Sequence, residues 1–340
     1  MVVSKSDLIK FFNSIQPQFD IFVPYKTERE IDDLVFNKYD PDKEFVLDKY
    51  RTVDPVRALF YMPSESVLPP SAKSNKRIIA GVKNCDLLGL AVLDDALLKD
   101  NFIEPNYKIW RDNSYIISCD CTDALQTCHC VLLDNNPYPN NDTEGQALFD
   151  LNLSPVDDKF IITVGSKKGE ELLEKIKEEC SLAEVTDNEK EILEANRAEV
   201  LKKVRDINTD FSMDRNYDVI TENKEASVWK EFCNECVQCG ACTNICPTCY
   251  CLILNDESTK EEFRKVRSWD SCQLAGYAEV AGGGTPREHR WETFRNRYQC
   301  KHNFLKYNFD KLGCTGCGRC ISACPAGIDL REVIQSLQEV

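Results

Sequence analysis

Cys236-Val237-Gln238-Cys239-Gly240-Ala241-Cys242-Thr243-Asn244-Ile245-Cys246-Pro247 returns seventy-eight residues later as Cys314-Thr315-Gly316-Cys317-Gly318-Arg319-Cys320-Ile321-Ser322-Ala323-Cys324-Pro325. Both stretches read C-x2-C-x2-C-x3-C-P, the run that ligates [4Fe-4S] clusters in bacterial ferredoxins. Three thiolates at every third residue follow a tight turn around one cubane. The small residues Gly240, Ala241, Gly316 and Gly318 let backbone approach it, so that N–H groups can point at its sulfurs. Structural zinc also uses C-x2-C pairs, but it takes two ligands from each and needs neither a third cysteine nor the closing Cys-Pro. In two-cluster ferredoxins the fourth cysteine of each run serves the other cluster. The expected ligand sets are therefore Cys236, Cys239, Cys242 and Cys324 for one cluster, and Cys314, Cys317, Cys320 and Cys246 for the second.

Between the two runs lie four more cysteines, Cys249, Cys251, Cys272 and Cys300. Four thiols are one further cluster's worth. Against the alternative of plain buried cysteines, Cys249 and Cys251 directly follow Cys246-Pro247, where unliganded thiols would invite oxidation.

Working outward toward the N-terminus, residues 1–207 alternate short β-branched runs with amphipathic helical patterns and read as an α/β domain. Strands are expected at Phe19 to Tyr25, Arg77 to Val82, Ser114 to Cys119 and Phe160 to Val164. A helix is expected from Asp86 to Leu98, capped by Asp86 and carrying Leu87, Leu90, Leu93 and Leu97 at helical spacing. The resulting βαβ unit makes two strands parallel, so Cys85, after the first, and Cys119 or Cys121, at the end of the second, reach the same sheet edge. Cys128 and Cys130 can join them through the short intervening loop. These residues form a fourth candidate cluster site, in which spacing alone does not choose between Cys119 and Cys121.

Charged helices follow at Glu170 to Glu179 and at Thr186 to Ile207, the second opening on the capping box Thr186-x-x-Glu189. Residues 208–223 are polar, lack a period and read as a linker. The remainder, 224–340, reads as a ferredoxin-like α+β domain for two [4Fe-4S] clusters, with a cysteine-containing insert at 247–313. Cys180 and Cys233 read as plain thiols. Arg287, Arg290, Arg295 and Arg297 read mainly as a solvated face, although cations here can also offset cluster charge.

The whole chain has 340 residues, 42 Lys and Arg against 57 Asp and Glu, a net charge of −15, and nineteen cysteines. Such an acidic surface repels nucleic acid and anionic membranes alike. Dense thiols in a chain this long speak for metal in a reducing compartment, and the start, Met1 to Phe12, has no secretory pattern, so a cytoplasmic setting is expected. Asn141-Asp142-Thr143 is then an accidental sequon. The glycine-rich stretches Ala281 to Thr285 and Gly165 to Gly169 lack the patterns of dinucleotide and phosphate loops, so no flavin or nucleotide site is assigned. Three histidines are too few and too scattered for a zinc enzyme. No residue is assigned a catalytic role.

Cys236 to Cys251, Trp269-Asp270-Ser271-Cys272-Gln273, Phe294 to Cys300 and Cys314 to Pro325 together resemble the iron-sulfur β subunits of cytoplasmic sulfhydrogenases, the soluble NAD(P)-linked nickel-iron hydrogenases. They are also similar to the A subunit of anaerobic sulfite reductase. Gly81 to Asp86 and Cys121 to Cys130 fit the same family, and the resemblance favours Cys121 over Cys119. It implies an electron-transfer subunit between a flavin- and NAD(P)-binding partner and a terminal hydrogenase or reductase subunit, or a component of another flavin-based complex. The chain carries neither nickel ligands nor a sirohaem site, so terminal chemistry is expected on another chain. An alternative in which this chain is itself an enzyme would need a cluster with only three protein thiolates.

Overall fold

The computed structural model describes residues 1–28, 33–99, 103–139 and 147–340, so the sequon at 141–143 lies outside the described residues. Strands run Val2–Ser4 (β1), Asp20–Lys26 (β2), Leu34–Lys38 (β3), Ser64–Leu68 (β4), Arg77–Val82 (β5), Ser114–Cys119 (β6), Leu151–Val156 (β7), Lys159–Val164 (β8), Leu252–Ser258 (β9) and Phe263–Trp269 (β10). Seven of them form one sheet in the order β1-β8-β7-β6-β5-β2-β3. Its centre, β7-β6-β5-β2, is parallel, and antiparallel strands close both edges.

β5 and β6 are the parallel neighbours expected from the sequence, with Arg77 opposite Ser114 and Ile79 opposite Ile116. Both are buried along their whole length, as central parallel strands covered on two faces must be. One face is covered by Leu8, Phe11 and Phe12 of the helix Lys5–Ile15 and by Leu172 and Ile176 of the helix Lys167–Glu179. The helices Asn84–Leu98 and Pro105–Asp112 cover the other, through Leu87, Leu90, Leu93, Tyr107 and Trp110.

Asn84–Leu98 is apolar on nearly every side because it has two partners. Besides the sheet, it meets the C-terminal region, where a Cβ added at Gly89 would lie 2.7 Å from Pro247 of the first cysteine run. The helix starts two residues earlier than its leucine spacing suggests, and Asp86 does not cap it. Its carboxylate instead accepts the Val56 N–H at 3.2 Å and pairs with Arg319. The capping box at Thr186 and Glu189 forms as read and opens the helix Asp187–Ile207.

Residues 208–223 are not a free linker. Asn216–Glu222 is a helix whose Val219 and Ile220 enter a C-terminal core built on Trp229, Phe294, Tyr298, Val333 and Ile334. Asn208 is buried, donating to the Cys128 and Val204 carbonyls. Polar spacing hid this helix because it is one short segment that contributes only two apolar residues to the core.

Nor does the chain divide cleanly at residue 224. β9 and β10 of the insert form a hairpin, and β10 also pairs with β4 from the N-terminal half, so this second sheet has the order β4-β10-β9. The strands expected in a ferredoxin-like α+β domain are thus those of the insert, while the two cysteine runs themselves carry short helices, Ala241–Asn244 and Arg319–Ser322. Arg267 on β10 is wholly buried between Glu65 and Glu104, lies 3.8 Å over the Tyr61 ring and donates to the Met62 carbonyl.

Candidate iron-sulfur centres

The two cysteine runs repeat in backbone conformation as well as in sequence. Gln238 and Gly316 hold the same position in their runs and both have positive φ, as do Gly240 and Gly318, each of which starts a short helix. Each run therefore wraps its first three cysteines around a left-handed turn. At the second run the absence of a side chain is also a steric necessity. A Cβ on Gly316 would lie 2.3 Å from the Cys130 Cα, and one on Gly318 would lie 2.0 Å from the Thr127 carbonyl oxygen. The loop Cys121 to Cys130 lies directly on the second run.

Cys314, Cys317, Cys320 and Cys246 line one buried cavity, so the last cysteine of the first run reaches the set of the second. The ferredoxin rule groups these four as one expected ligand set. Cys85, Cys121, Cys128 and Cys130 line a neighbouring cavity, and Cys317 belongs to the wall of both. Burial pushes the Cys121 thiol up to about 12, so a thiolate there needs a cation in its place.

Cys119 stands apart. Its side chain packs in the sheet core beside Ile117 and Leu153, because β6 ends there and the chain turns outward, with the Cys121 N–H donating to the Pro137 carbonyl. Cys180 and Cys233 are also core side chains, the first donating its S–H to the Asp7 carbonyl at 3.1 Å and the second packing beside Trp229.

In the insert, Cys251, Cys272 and Cys300 are brought within electrostatic reach of one another, with Cys249 beside Cys251. The Tyr277 hydroxyl lies 3.4 Å from the Cys251 sulfur. Cys249 also hydrogen-bonds Cys246, which draws the Cys246 thiol below its usual range, against the effect of burial and with help from Lys301 and Thr248. The insert set thus adjoins the central set. Cys242 lies within electrostatic reach of Cys236, of Cys320 in the central set and of Cys272 in the insert set, and burial raises its thiol to about 12. Cys239 is exposed, and Cys324 is half-buried behind the helix Arg319–Ser322.

Among the described residues no three Cys, His, Asp or Glu side chains stand close enough together to hold a single metal ion. Zinc bound at 2.3 Å keeps its thiolates only about 3.8 Å apart, whereas a four-iron core is wider than one ion. The polar lining fits an anionic, sulfur-rich group. Around the central cavity Arg297 Nε, His302 Nε2 and Thr315 Oγ1 are buried without a partner, and Asn84 Oδ1 is unpartnered at the N-terminal cavity. Of these atoms Arg297 Nε and Thr315 Oγ1 are donors, and cluster sulfides accept hydrogen bonds from such groups.

Cysteine spacing had no access to several residues of these walls. Arg51 donates to the Cys317 carbonyl at 2.7 Å and to the Ser322 hydroxyl. Lys83 donates to the Leu47, Cys119 and Asp120 carbonyls, bracing the loop that carries Cys121. Arg57, stacked 3.8 Å over Trp269, donates to the Cys249 and Asn244 carbonyls. His129 Nε2 lies 3.7 Å from the Cys314 sulfur, and burial lowers this imidazole to about 4. One signal was visible in the sequence: Arg319 and Lys301 are cations placed directly beside proposed ligands, where small residues would be the simpler choice.

Residues 235–328 match the 4Fe-4S dicluster domain family. Across 97% of this chain and 96% of the relative, the sequence is 29% identical to sulfhydrogenase 2 subunit beta of Pyrococcus furiosus. No solved structure matches the chain. The C-terminal region thus carries a match to a 4Fe-4S dicluster domain, and the chain is similar to a sulfhydrogenase β subunit along nearly its whole length. No helix among the described residues is long and apolar enough to cross a membrane.

Proposed function

We propose that this homologue of a sulfhydrogenase β subunit is an electron-transfer subunit with four [4Fe-4S] centres, working in the cytoplasm between a flavin- and NAD(P)-binding subunit and a terminal hydrogenase or reductase subunit. The proposed ligands are Cys85, Cys121, Cys128 and Cys130 for an N-terminal centre, and Cys246, Cys314, Cys317 and Cys320 for a central one. Cys236, Cys239, Cys242 and Cys324 would hold an outer centre, and Cys249, Cys251, Cys272 and Cys300 an insert centre. When bound, such clusters accept and release single electrons at low potential.

The observation that carries the reading is the contiguity of the thiol sets. Cys317 lines both the N-terminal and the central cavity. Cys246 touches Cys249 of the insert set, and Cys320 lies beside Cys242 of the outer set. The central set therefore borders the other three, which suits a relay and has no use in a scaffold of independent structural sites. Around it the chain's own residues hold the thiols in place and exclude water: Arg51 and Arg57 clamp the backbone of the cysteine runs, and Leu330 with Pro247 closes the wall.

The test is iron and reactivity together. Anaerobically purified chain should carry about sixteen Fe with equal labile sulfide, four per cubane. It should be reduced by a strong one-electron donor and stay oxidised with NAD(P)H until the flavoprotein partner is added, since hydride transfer needs a flavin to split the electron pair. About eight Fe would remove the N-terminal and insert centres, and rapid bleaching of the flavin-free chain by NAD(P)H would overturn the relay.

A further inference from the structure

The helix Arg290–Gln299 passes at Cys300 into a single π turn, Cys300–Phe304, before continuing as Leu305–Phe309. Successive residues of an α-helix point about 100° apart, so three in a row do not ordinarily serve one locality. Here Cys300 joins the insert set, while Lys301 and His302 line the central cavity. π turns of this kind concentrate at functional sites.

Lys301 is only 5% exposed. Its ammonium donates to the Thr248 hydroxyl at 2.8 Å, and that hydroxyl donates onward to the Gly313 carbonyl at 2.6 Å. No carboxylate among the described residues pairs with it, unlike buried Arg319, which has Asp86, and buried Arg267, which has Glu65 and Glu104. Burying an ammonium without an anion costs several kcal/mol. The groups that face Lys301 are the sulfurs of Cys246, Cys249 and Cys300, which belong to two different thiol sets.

We propose that Lys301, held by the π turn at the seam between the central and insert sets, raises the reduction potential of the central centre. This rests on the cluster assignment proposed above. The sign follows from charge. A [4Fe-4S] group with four thiolates is anionic, and each electron it accepts makes it more so by one unit, while the Lys301 charge stays fixed. The ammonium attracts the reduced form more strongly than the oxidised form and raises the potential. Low dielectric strengthens that attraction, which offsets the opposing effect of burial on the more charged state. Unpartnered Thr315 Oγ1 and Arg297 Nε, at the same cavity, act in the same direction.

The experiment is an anaerobic redox titration of the full chain followed by electron paramagnetic resonance, beside iron analysis, for Lys301→Met, Lys301→Arg and Cys320→Ala. Lys301→Met should keep all its iron, yet at the wild-type midpoint the reduced-to-oxidised ratio of one centre should fall about tenfold, equivalent to about 59 mV for one electron. Lys301→Arg, which keeps the charge, should restore most of it. Full iron with an unmoved midpoint in Lys301→Met would overturn the inference. Loss of about four Fe from that variant would also overturn it, by making Lys301 a structural support for the cluster. Cys320→Ala separates the two levels: if it leaves all iron in place, the central centre is absent and the ligand assignment itself fails.

Discussion

Arg319 Nη2 donates to Asp86 Oδ2 at 2.7 Å, and both side chains are almost wholly buried. The pair joins the second cysteine run to the first turn of the helix that carries Cys85. Arg319 also donates to the Thr52 and Val53 carbonyls, so a single guanidinium ties three distant segments together. The Asp86 carboxylate holds the guanidinium firmly protonated despite its burial.

Asp86→Asn should destabilise the chain by about 3–5 kcal/mol, the usual cost of leaving one partner of a buried ion pair uncompensated. A double change, Asp86→Leu with Arg319→Met, should recover much of that loss because it removes both charges. Denaturant midpoints of the anaerobic protein check this, and equal midpoints for Asp86→Asn and wild type would show that the pair is not formed.

Cys121→Ser should release about four Fe, because a hydroxyl is a poor substitute for thiolate at iron. Cys119→Ser should keep its iron and lose about 1–3 kcal/mol of stability, since it places a hydroxyl in the sheet core. Iron content and thermal midpoint, measured on both variants, distinguish the roles. Iron loss from Cys119→Ser alone would reverse the assignment.

Gly318→Ala and Gly327→Ala separate backbone strain from close approach. Both glycines have φ near +68°, but a Cβ at Gly318 would lie 2.0 Å from the Thr127 carbonyl, whereas one at Gly327 meets nothing within 4 Å. Gly327→Ala should therefore cost only about 1–2 kcal/mol of left-handed strain and keep its iron. Gly318→Ala should push the Cys121 to Cys130 loop away and lose about four Fe. Matching iron contents would mean that the loop does not rest on the second run.

The spacing of the cysteines, read alone, points to the chemistry: two ferredoxin runs, with further thiols grouped in the insert and in the N-terminal half. These properties are local, because three cysteines separated by two residues each are placed by a few backbone torsions. The βαβ unit was legible for the same reason, since leucine periodicity and β-branched runs report burial along a short element. β7 was not, because Pro155 argues against a strand inside a sheet and the alternation of Leu151 to Ser154 is only four residues long, while the tertiary environment buries the whole segment.

Tertiary packing decided the rest. Cys119 and Cys121 look equivalent until the end of β6 sends one into the core and the other toward the second cysteine run. Whether a buried cation has a carboxylate partner, as Arg319 does, or faces thiols, as Lys301 does, depends on segments far away in sequence; Arg51 alone spans 266 positions to reach the Cys317 carbonyl. Contiguity of the thiol sets likewise follows from docking the N-terminal sheet edge onto the cysteine runs, with β10 pairing to β4 across the division expected at residue 224. Such contacts are fixed by shape and charge complementarity between surfaces that each element forms only after folding, and no spacing rule within one segment encodes them.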